Sequence, residues 1–264
     1  MSEANLPAPM IMGVHGVLTL NPWVSPEHED VFGLVVRRTV SYGWSSFHAS
    51  GPDGVRWGHN EADGDWEQDQ RVRQLAWLQV DVADAPRGQR LPVLPAATVL
   101  GDSLNRIGRF RFTGLHTVAP LYEAPDSRAD LAYAAEWFAL ADPAASAEFT
   151  LSVASTKAAD LPGHAPDILA AALERAHGQL GIEAAPLSSP PGLPASPAEA
   201  GLGLPLAGEL ETTHLQCGQA FRCVTREWSL DMAAWVTEIF IDALRGTGTT
   251  HPALITVSKP LSPA

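Results

Sequence analysis

The sequence predicts an α+β fold in which a strand-rich N-terminal half precedes a half that mixes strands and helices. Apolar and β-branched residues recur with strand spacing along the first 120 residues, and helical spacing starts only after Pro125. A hydrophobic content of 45% with a charged content of 18% is typical of a chain that buries a core. We therefore expect a largely antiparallel sheet with helices packed on one face.

The strands predicted in the N-terminal half are runs of β-branched and apolar residues separated by turn residues. Pro52, Asp53 and Gly54 form the clearest turn signal, since proline presets φ and glycine accepts the conformations that tight turns need. The predicted strands are 10–20, 31–42, 44–49, 55–59, 72–82 and 109–118.

The C-terminal half alternates helices with short strands. Ser127 and Ser229 are suitable caps for two of the helices, and Pro166 is expected in the first turn of another. These helices end before Pro143, at Gly246 and at Gly181, respectively, and the predicted strands are 147–154, a hairpin at 209–228, and 253–258.

The helix that begins at Ser229 has the clearest amphipathic pattern in the chain. Its apolar face is expected to pack against the sheet, and its acidic face is expected to be solvated. The apolar residues are Met232, Val236, Ile239, Phe240 and Ala243, and the acidic residues are Asp231, Glu238 and Asp242.

From residue 149 onward the predicted elements follow the ferredoxin-like βαββαβ order. A poorer copy of this order is predicted for the earlier part of the chain, with strands near residues 14, 78 and 114 and a helix near 134, although no residue-level repeat supports a duplication. We interpret 1–264 as a single globular unit, while a subdivision into 1–120 and 121–264 stays open. The proline-rich segment 186–208 is predicted to be a long surface loop rather than a linker, because the elements after it are few.

The formal net charge of −13 makes nucleic acid and anionic membrane surfaces unfavourable partners. No apolar run approaches the roughly 20 residues that span a bilayer. The N-terminus lacks the basic and apolar regions of a signal peptide, so we expect a soluble, cytoplasmic protein. Arginine far outnumbers lysine, and alanine, glycine and proline are abundant, which is typical of a GC-rich bacterial genome.

Two cysteines, Cys217 and Cys223, are too few for a disulfide scaffold or a four-thiolate zinc site. They flank residues 218–220, where we expect a hairpin turn. A disulfide across such a turn is geometrically possible, but two reduced thiols are the expected state of a cytoplasmic protein.

Residues 101–104 read Gly-Asp-Ser-Leu, which resembles the motif that names the GDSL esterase and lipase family. That family also supplies a Gly-x-Asn-Asp block and a late Asp-x-x-His, and neither occurs in this chain. Without them nothing activates Ser103 or stabilises an oxyanion. We predict a chance tetrapeptide in a turn, with Asp102 as a cap and Ser103 inert toward fluorophosphonate probes. A GDSL-like esterase is the remote alternative.

The segment 59–69 is the most acidic stretch of the chain, and its alternating oxygen ligands are of the kind that bind calcium or magnesium. The glycine and the terminal glutamate of an EF-hand loop are not at the required offsets. We therefore predict a solvated acidic loop rather than an ion site.

Three histidines lie within predicted strands, namely His15, His116 and His214. If they converged they would form a pocket for a ligand, a metal site or a proton-transfer cluster. Convergence requires neighbouring strands in matching register, because a slip of one residue turns a side chain to the other face. We predict no stoichiometric transition metal. Glu211 lies an odd number of residues from His214 and is expected on the opposite face.

Glycines in the same strands leave space beside the backbone, and we expect this space to admit a ligand. They are Gly13, Gly16 and Gly114.

Two function hypotheses follow. The first is a protein that binds or transforms a small molecule in a pocket between strands and helices, with the three histidines as pocket candidates. The second is a non-catalytic assembly subunit, and self-association stays open. No phosphate loop, Cys-x-x-Cys pair or dinucleotide fingerprint occurs, so no cofactor is predicted.

Overall fold

The computed structural model describes residues 9–42, 58–81, 91–121, 128–155, 161–185, 216–249 and 251–259, and within these ranges the chain forms eight strands and five helices. The strands are β1 (Met10–Leu20), β2 (Gly58–Asp63), β3 (Arg73–Asp81), β4 (Gly108–Ala119), β5 (Ala147–Ser155), β6 (Gly181–Ala185), β7 (Gln216–Thr225) and β8 (Ala253–Ser258). The helices are α1 (Val31–Ser41), α2 (Val93–Ile107), α3 (Arg128–Phe138), α4 (Leu161–Arg175) and α5 (Leu230–Gly246).

All eight strands pair antiparallel in one sheet, in the order β2-β3-β1-β4-β8-β5-β7-β6. The α+β class and the antiparallel sheet are therefore confirmed. The strand–helix–strand–strand–helix–strand order occurs twice, first from β1 to β4 and again, with α3 before it, from β5 to β8. Each half contributes four adjacent strands, and β4 pairs with β8 where the halves meet. The ferredoxin-like classification of either half stays a prediction.

The helices cover one face of the sheet. Helix α2 contacts α1 and α5, α5 contacts α4, and α3 contacts both α5 and α4. The sheet side chains that meet these helices are apolar and alternate along each strand, as a half-covered sheet requires. Examples are Met12, Leu78, Leu115, Leu151 and Ile255. None of the helices among the described residues has the length and apolar character needed to cross a bilayer.

The prediction of a strand over 31–42 is wrong, because Val31–Ser41 is helix α1. The carboxylate of Asp30 accepts a hydrogen bond from the amide of Gly33 at 2.6 Å and caps the helix. Val31, Leu34 and Val35 are buried at the i, i+3, i+4 spacing of a helix. Tertiary packing of that stripe therefore outweighs the strand propensity of the valines and threonine.

Helix α2 was not predicted, and it includes the Gly-Asp-Ser-Leu tetrapeptide that we expected in a turn. Its N-terminus has no side-chain cap of its own, because Pro92 occupies that position. The carboxylate of Glu238 in α5 accepts a hydrogen bond from the amide of Leu94 at 3.2 Å instead. A long-range acceptor of this kind cannot be read from the local sequence.

Helix α5 confirms the strongest of the helix predictions. Ser229 caps it by accepting a hydrogen bond from the amide of Met232 at 3.1 Å. The predicted apolar face is fully buried, but the expected acidic face is only partly solvated, because Glu238 and Asp242 are each 3% exposed. Since α2, α4 and α3 surround this helix, nearly every side of it is covered.

Ile239→Ala is expected to lower the free energy of unfolding by about 2–5 kcal/mol, since it removes a fully buried side chain and leaves a cavity. Chemical denaturation monitored by circular dichroism measures the change. The matched control is Leu173→Ala on α4, because Leu173 is 42% exposed. Equal effects of the two substitutions would contradict the central position of α5.

Within the predicted hairpin at 209–228, residues Gln216–Thr225 form a single strand, β7, and residues 209–215 lie outside the described part of the chain. The partners of β7 are β5 and β6, and residues 218–220, the expected turn, lie in its middle. Six residues of extended chain separate Cys217 from Cys223 by roughly 20 Å, so no disulfide joins them. Cys223 is a buried free thiol, and burial raises its pKa.

Other strand and helix predictions have mixed outcomes. The strands predicted at 10–20, 72–82, 109–118, 147–154 and 253–258 are confirmed within two residues as β1, β3, β4, β5 and β8. Pro166 lies inside α4 rather than in its first turn. The strand 44–49, most of 55–59 and the loop 186–208 fall outside the described residues.

Candidate functional site

The face of the sheet opposite the helices carries its own small apolar cluster. Its members come from β1, β3, β4, β5 and β8 and are Ile11, Trp77, Val118, Ala154 and Leu254. Because side chains alternate along a strand, residues two positions from these point to the same face. Gly13 and His116 therefore lie next to the cluster, on the helix-free face.

His15 and His116, two of the three histidines predicted as pocket candidates, meet on this face. Nε2 of His15 lies 2.7 Å from Nδ1 of His116, and the ring centroids are 5.0 Å apart. The register of β1 and β4 produces this contact, since Gly13 pairs with His116 and a bulge follows His15. His214 and Glu211 lie outside the described residues, so the third histidine stays a prediction.

Gly13 makes room for this pair rather than for a ligand. A Cβ atom at position 13 would lie 2.1 Å from Cε1 of His116, so the imidazole rests directly on the glycine backbone. The space at Gly16 is filled by the carbonyl of Arg111, at 2.3 Å from a Cβ in that position. At Gly114 the nearest atom, the carbonyl oxygen of Val257, is at 3.1 Å. The expectation that these glycines leave open space is therefore wrong.

Polar atoms without partners surround the histidine pair. Gln74 is the cross-strand neighbour of His15, and Trp77 is the neighbour of Gly13 on its other side. Within the described part of the chain, Nε2 of His116, Nε1 of Trp77 and both amide atoms of Gln74 are buried without a hydrogen-bond partner. More than 90% of buried polar groups in proteins are satisfied, so four unpartnered atoms in one patch are unusual.

Both histidines are neutral at physiological pH. Burial lowers the pKa of His15 to about 4. Burial first, and then the neighbouring His15, hold the pKa of His116 well below its ordinary value. One proton lies between the two rings, so Nε2 of His116 is either a free donor or a free acceptor, depending on which ring supplies that proton.

The sequence did not indicate Gln74 or Trp77 as site residues. Each lies in a strand where a buried polar or aromatic side chain is ordinary, and only the pairing of β3 with β1 brings them beside the histidines. Trp77, Gly13 and His116 lie opposite one another on β3, β1 and β4 and form a cross-strand row. Thr256 on β8 and Ser152 on β5 extend this row and are also buried. The row therefore has a polar, uncharged centre.

Ser103 is not arranged as a nucleophile. It is buried in α2, and its hydroxyl donates to the carbonyl of Val99 at 2.7 Å. Asp102 accepts hydrogen bonds from Arg38 at 2.5 and 2.8 Å and from the hydroxyl of Tyr42 at 2.5 Å, so it does not act as a cap. The geometry of an activated serine, with a base within hydrogen-bond reach, is absent from the described residues around it.

The acidic stretch folds around an arginine. The guanidinium of Arg73 pairs with Asp65, Glu67 and Asp69. Arg73 holds the pKa of Asp69 down at about 2. These carboxylates are therefore partly neutralised by the chain itself, and the predicted solvated loop is an ion-paired turn that follows β2. The residues that the structure describes contain no group of three or more side chains that could hold a metal ion.

Gly13→Ala is expected to lower the free energy of unfolding by about 1–3 kcal/mol, because the new methyl group overlaps His116. Placed on a His116→Ala background, the same change should be neutral or mildly stabilising, since alanine is preferred to glycine in a strand. Denaturation of the four proteins of this cycle measures the coupling. Gly163→Ala is the control, since nothing lies within 4 Å of a Cβ there, and additive effects at positions 13 and 116 would contradict the contact.

No protein-family model, no curated protein and no solved structure matches the chain. The chemistry of the site therefore follows from its own residues.

Proposed function

We propose that the protein binds a small, uncharged, polar molecule on the helix-free face of its sheet. The observation that carries this proposal is the group of four unpartnered polar atoms on Gln74, Trp77 and His116. Each such atom costs about 1–3 kcal/mol when it is left unsatisfied, so a ligand that pairs with them gains that free energy on binding.

The donors and acceptors of the patch define the ligand. The indole of Trp77 can only donate, the amide of Gln74 can do both, and Nε2 of His116 takes either role. A matching molecule therefore carries at least one acceptor together with a second group able to donate, as amides, diols and neutral heterocycles do. Trp77 and His116 lie on strands that flank β1, which places their Cα atoms roughly 10 Å apart.

The absence of charge favours a neutral ligand. His15 and His116 are uncharged at physiological pH because burial lowers the pKa of each. Among the described residues of the row, Trp77, Thr256 and Ser152 are also neutral. Bringing an ion into this buried, uncharged patch would leave its charge without a counterion, at a large cost in free energy.

The pKa of His15 favours binding over acid–base catalysis. A general base works best when its pKa lies near the working pH, and at about 4 the imidazole of His15 is a weak base at neutral pH. Because the imidazole of His15 is neutral at this pH, it also lacks the second ring proton that a protonated histidine donates as a general acid. The pair is suited to recognise a ligand through hydrogen bonds.

Mass spectrometry of the purified protein tests the proposal. Under native conditions the protein should retain one small molecule, and denaturation should release it for identification. His116→Leu should abolish retention, whereas His164→Leu, a change at an exposed histidine of α4, should preserve it. The same spectra report the oligomeric state and so test the alternative of self-association.

A weakly held ligand would be lost on purification, so a thermal-shift panel of uncharged amides, diols and heterocycles at 10 mM complements the first measurement. A binder with a dissociation constant of 0.1 mM would stabilise the folded state by about 2.7 kcal/mol at that concentration. The proposal is wrong if no compound co-purifies and no member of the panel raises the melting temperature in a way that depends on His116.

A further inference from the structure

A second concave site lies on the helix side of the molecule, at one end of α1 and α2. It is a groove of about 1120 Å³ between these helices and the loop that follows β1. The amide of Asn21 donates to the carbonyl of Ile107 at 2.8 Å and anchors that loop beside the end of α2. The groove shares no residue with the histidine patch, so the two sites are independent.

The charges that line the groove do not cancel. Three guanidinium groups face two carboxylates, since Arg37 pairs with Glu29 and Arg38 pairs with Asp102. Arg106, which is exposed in the last turn of α2, has no ion-pair partner within the described residues. The groove therefore keeps one unpaired positive charge in a chain whose formal net charge is −13.

The groove also has an aromatic wall and an apolar floor. Trp23 is 79% exposed, which is an unusual state for the largest apolar side chain. Leu34 and Ile107 line the groove from the helices behind it. An exposed indole in the same groove as the guanidinium of Arg106 offers one surface for stacking and one charge for pairing.

We propose that this groove binds a small aromatic anion, a molecule with one planar ring system and one carboxylate or phosphate. The anion pairs with Arg106 and the ring stacks on Trp23. A single unpaired guanidinium matches a single anionic group. The net negative charge of the protein repels polyanions, so a small ligand fits better than nucleic acid.

Calorimetric titration with four defined probes tests this inference. AMP and benzoate combine a ring with an anion, adenosine carries the ring alone, and inorganic phosphate carries the anion alone. At least one of the two aromatic anions should bind. The titrations use the His116→Leu variant, in which the histidine patch cannot take up adenosine. If AMP binds, adenosine and inorganic phosphate should each bind roughly tenfold more weakly or not at all. The histidine patch, by contrast, is expected to bind neutral ligands and not anions.

Matched variants locate the binding. Arg106→Gln and Trp23→Ala should each weaken binding of the aromatic anion roughly tenfold, since each removes one of the two contacts. Arg109→Gln on β4 and Trp137→Ala on α3, which change other exposed side chains of the same types, should leave the affinity within about twofold.

All four changes are at exposed positions, so circular dichroism should show folded proteins. Failure of both AMP and benzoate to bind below 10 mM, or binding that is insensitive to both groove variants, overturns the inference. Neither result bears on the histidine patch, because His116 is not part of the groove.

Discussion

Lowering the pH from 7 to 4 is expected to reduce the free energy of unfolding by about 3 kcal/mol through His15 alone. Burial lowers its pKa in the folded state to about 4, against 6.5 for an unhindered histidine. The unfolded chain therefore binds more protons than the folded chain in this window, and stability falls as the pH falls. The contribution of neutral His15 to the free energy of unfolding is present above about pH 6.5 and is lost progressively as the pH falls toward 4. His116 adds to the loss, since its pKa is also lowered.

Denaturant unfolding at half-unit steps of pH between 7 and 4 measures this effect. The expected slope is about 1.4 kcal/mol per pH unit for each additional proton bound by the unfolded chain. A double variant, His15→Asn with His116→Asn, should flatten the profile in this range, while His28→Asn, at an exposed histidine, should not. Asp69 does not interfere, because its lowered pKa makes its contribution disappear only as the pH falls toward about 2. A flat profile for the unmodified protein would mean that the pair is not buried.

Asp242→Ala is expected to lower the free energy of unfolding by about 3–5 kcal/mol. Arg175 of α4 donates from Nε to the carboxylate of Asp242 in α5, and the two side chains are 5% and 4% exposed. Removing the carboxylate leaves the buried guanidinium with only the exposed carboxylate of Glu174, 4.0 Å away. The loss is larger than that expected from an exposed ion pair, because water cannot replace the missing partner.

Replacing both members of this pair distinguishes two contributions to the free energy of unfolding. One is the cost of a buried charge that has lost its partner, and the other is the net stabilisation by the intact ion pair. Arg175→Met combined with Asp242→Leu should recover most of the stability that Asp242→Ala removes, because apolar side chains of similar size need no partner. Glu148→Ala, which breaks the exposed pair with Arg222, is the control and should shift the melting temperature little. If the double variant is as unstable as the single one, the ion pair itself stabilises the contact between α4 and α5.

The spacing of apolar residues predicted correctly those strands and helices in which one spacing holds along the whole element. Strand β5 alternates apolar and polar residues, β8 is a short and nearly continuous apolar run, and α5 combines a serine cap with a helical stripe. Helix α1 was mistaken for a strand because its valines satisfy both interpretations and only its packing against α2 decides between them. The local sequence does not predict helix α2, because the hydrogen-bond acceptor at its N-terminus is Glu238, which lies far along the chain.

The histidine patch could be predicted only in part. The sequence shows His15 and His116 beside glycines in two strands, and this was sufficient to name them as candidates. Their contact depends on the register of β1 with β4 and on a bulge after His15, which residue types do not encode. Gln74 and Trp77 join the site through a third strand, so their role follows from sheet order and not from any local motif.

The position of β8 also has a consequence for the order in which the sheet is completed during synthesis. This strand follows the other seven along the chain, yet it lies between β4 and β5 at the middle of the sheet. Until the ribosome has made it, the residues that β8 covers, 114–119 of β4 and 150–155 of β5, have no strand partner on that side. Both are then open sheet edges that can pair with other chains. The nascent protein is therefore most exposed to aggregation just before its last strand appears, and a chaperone that shields those two edges would act at that moment.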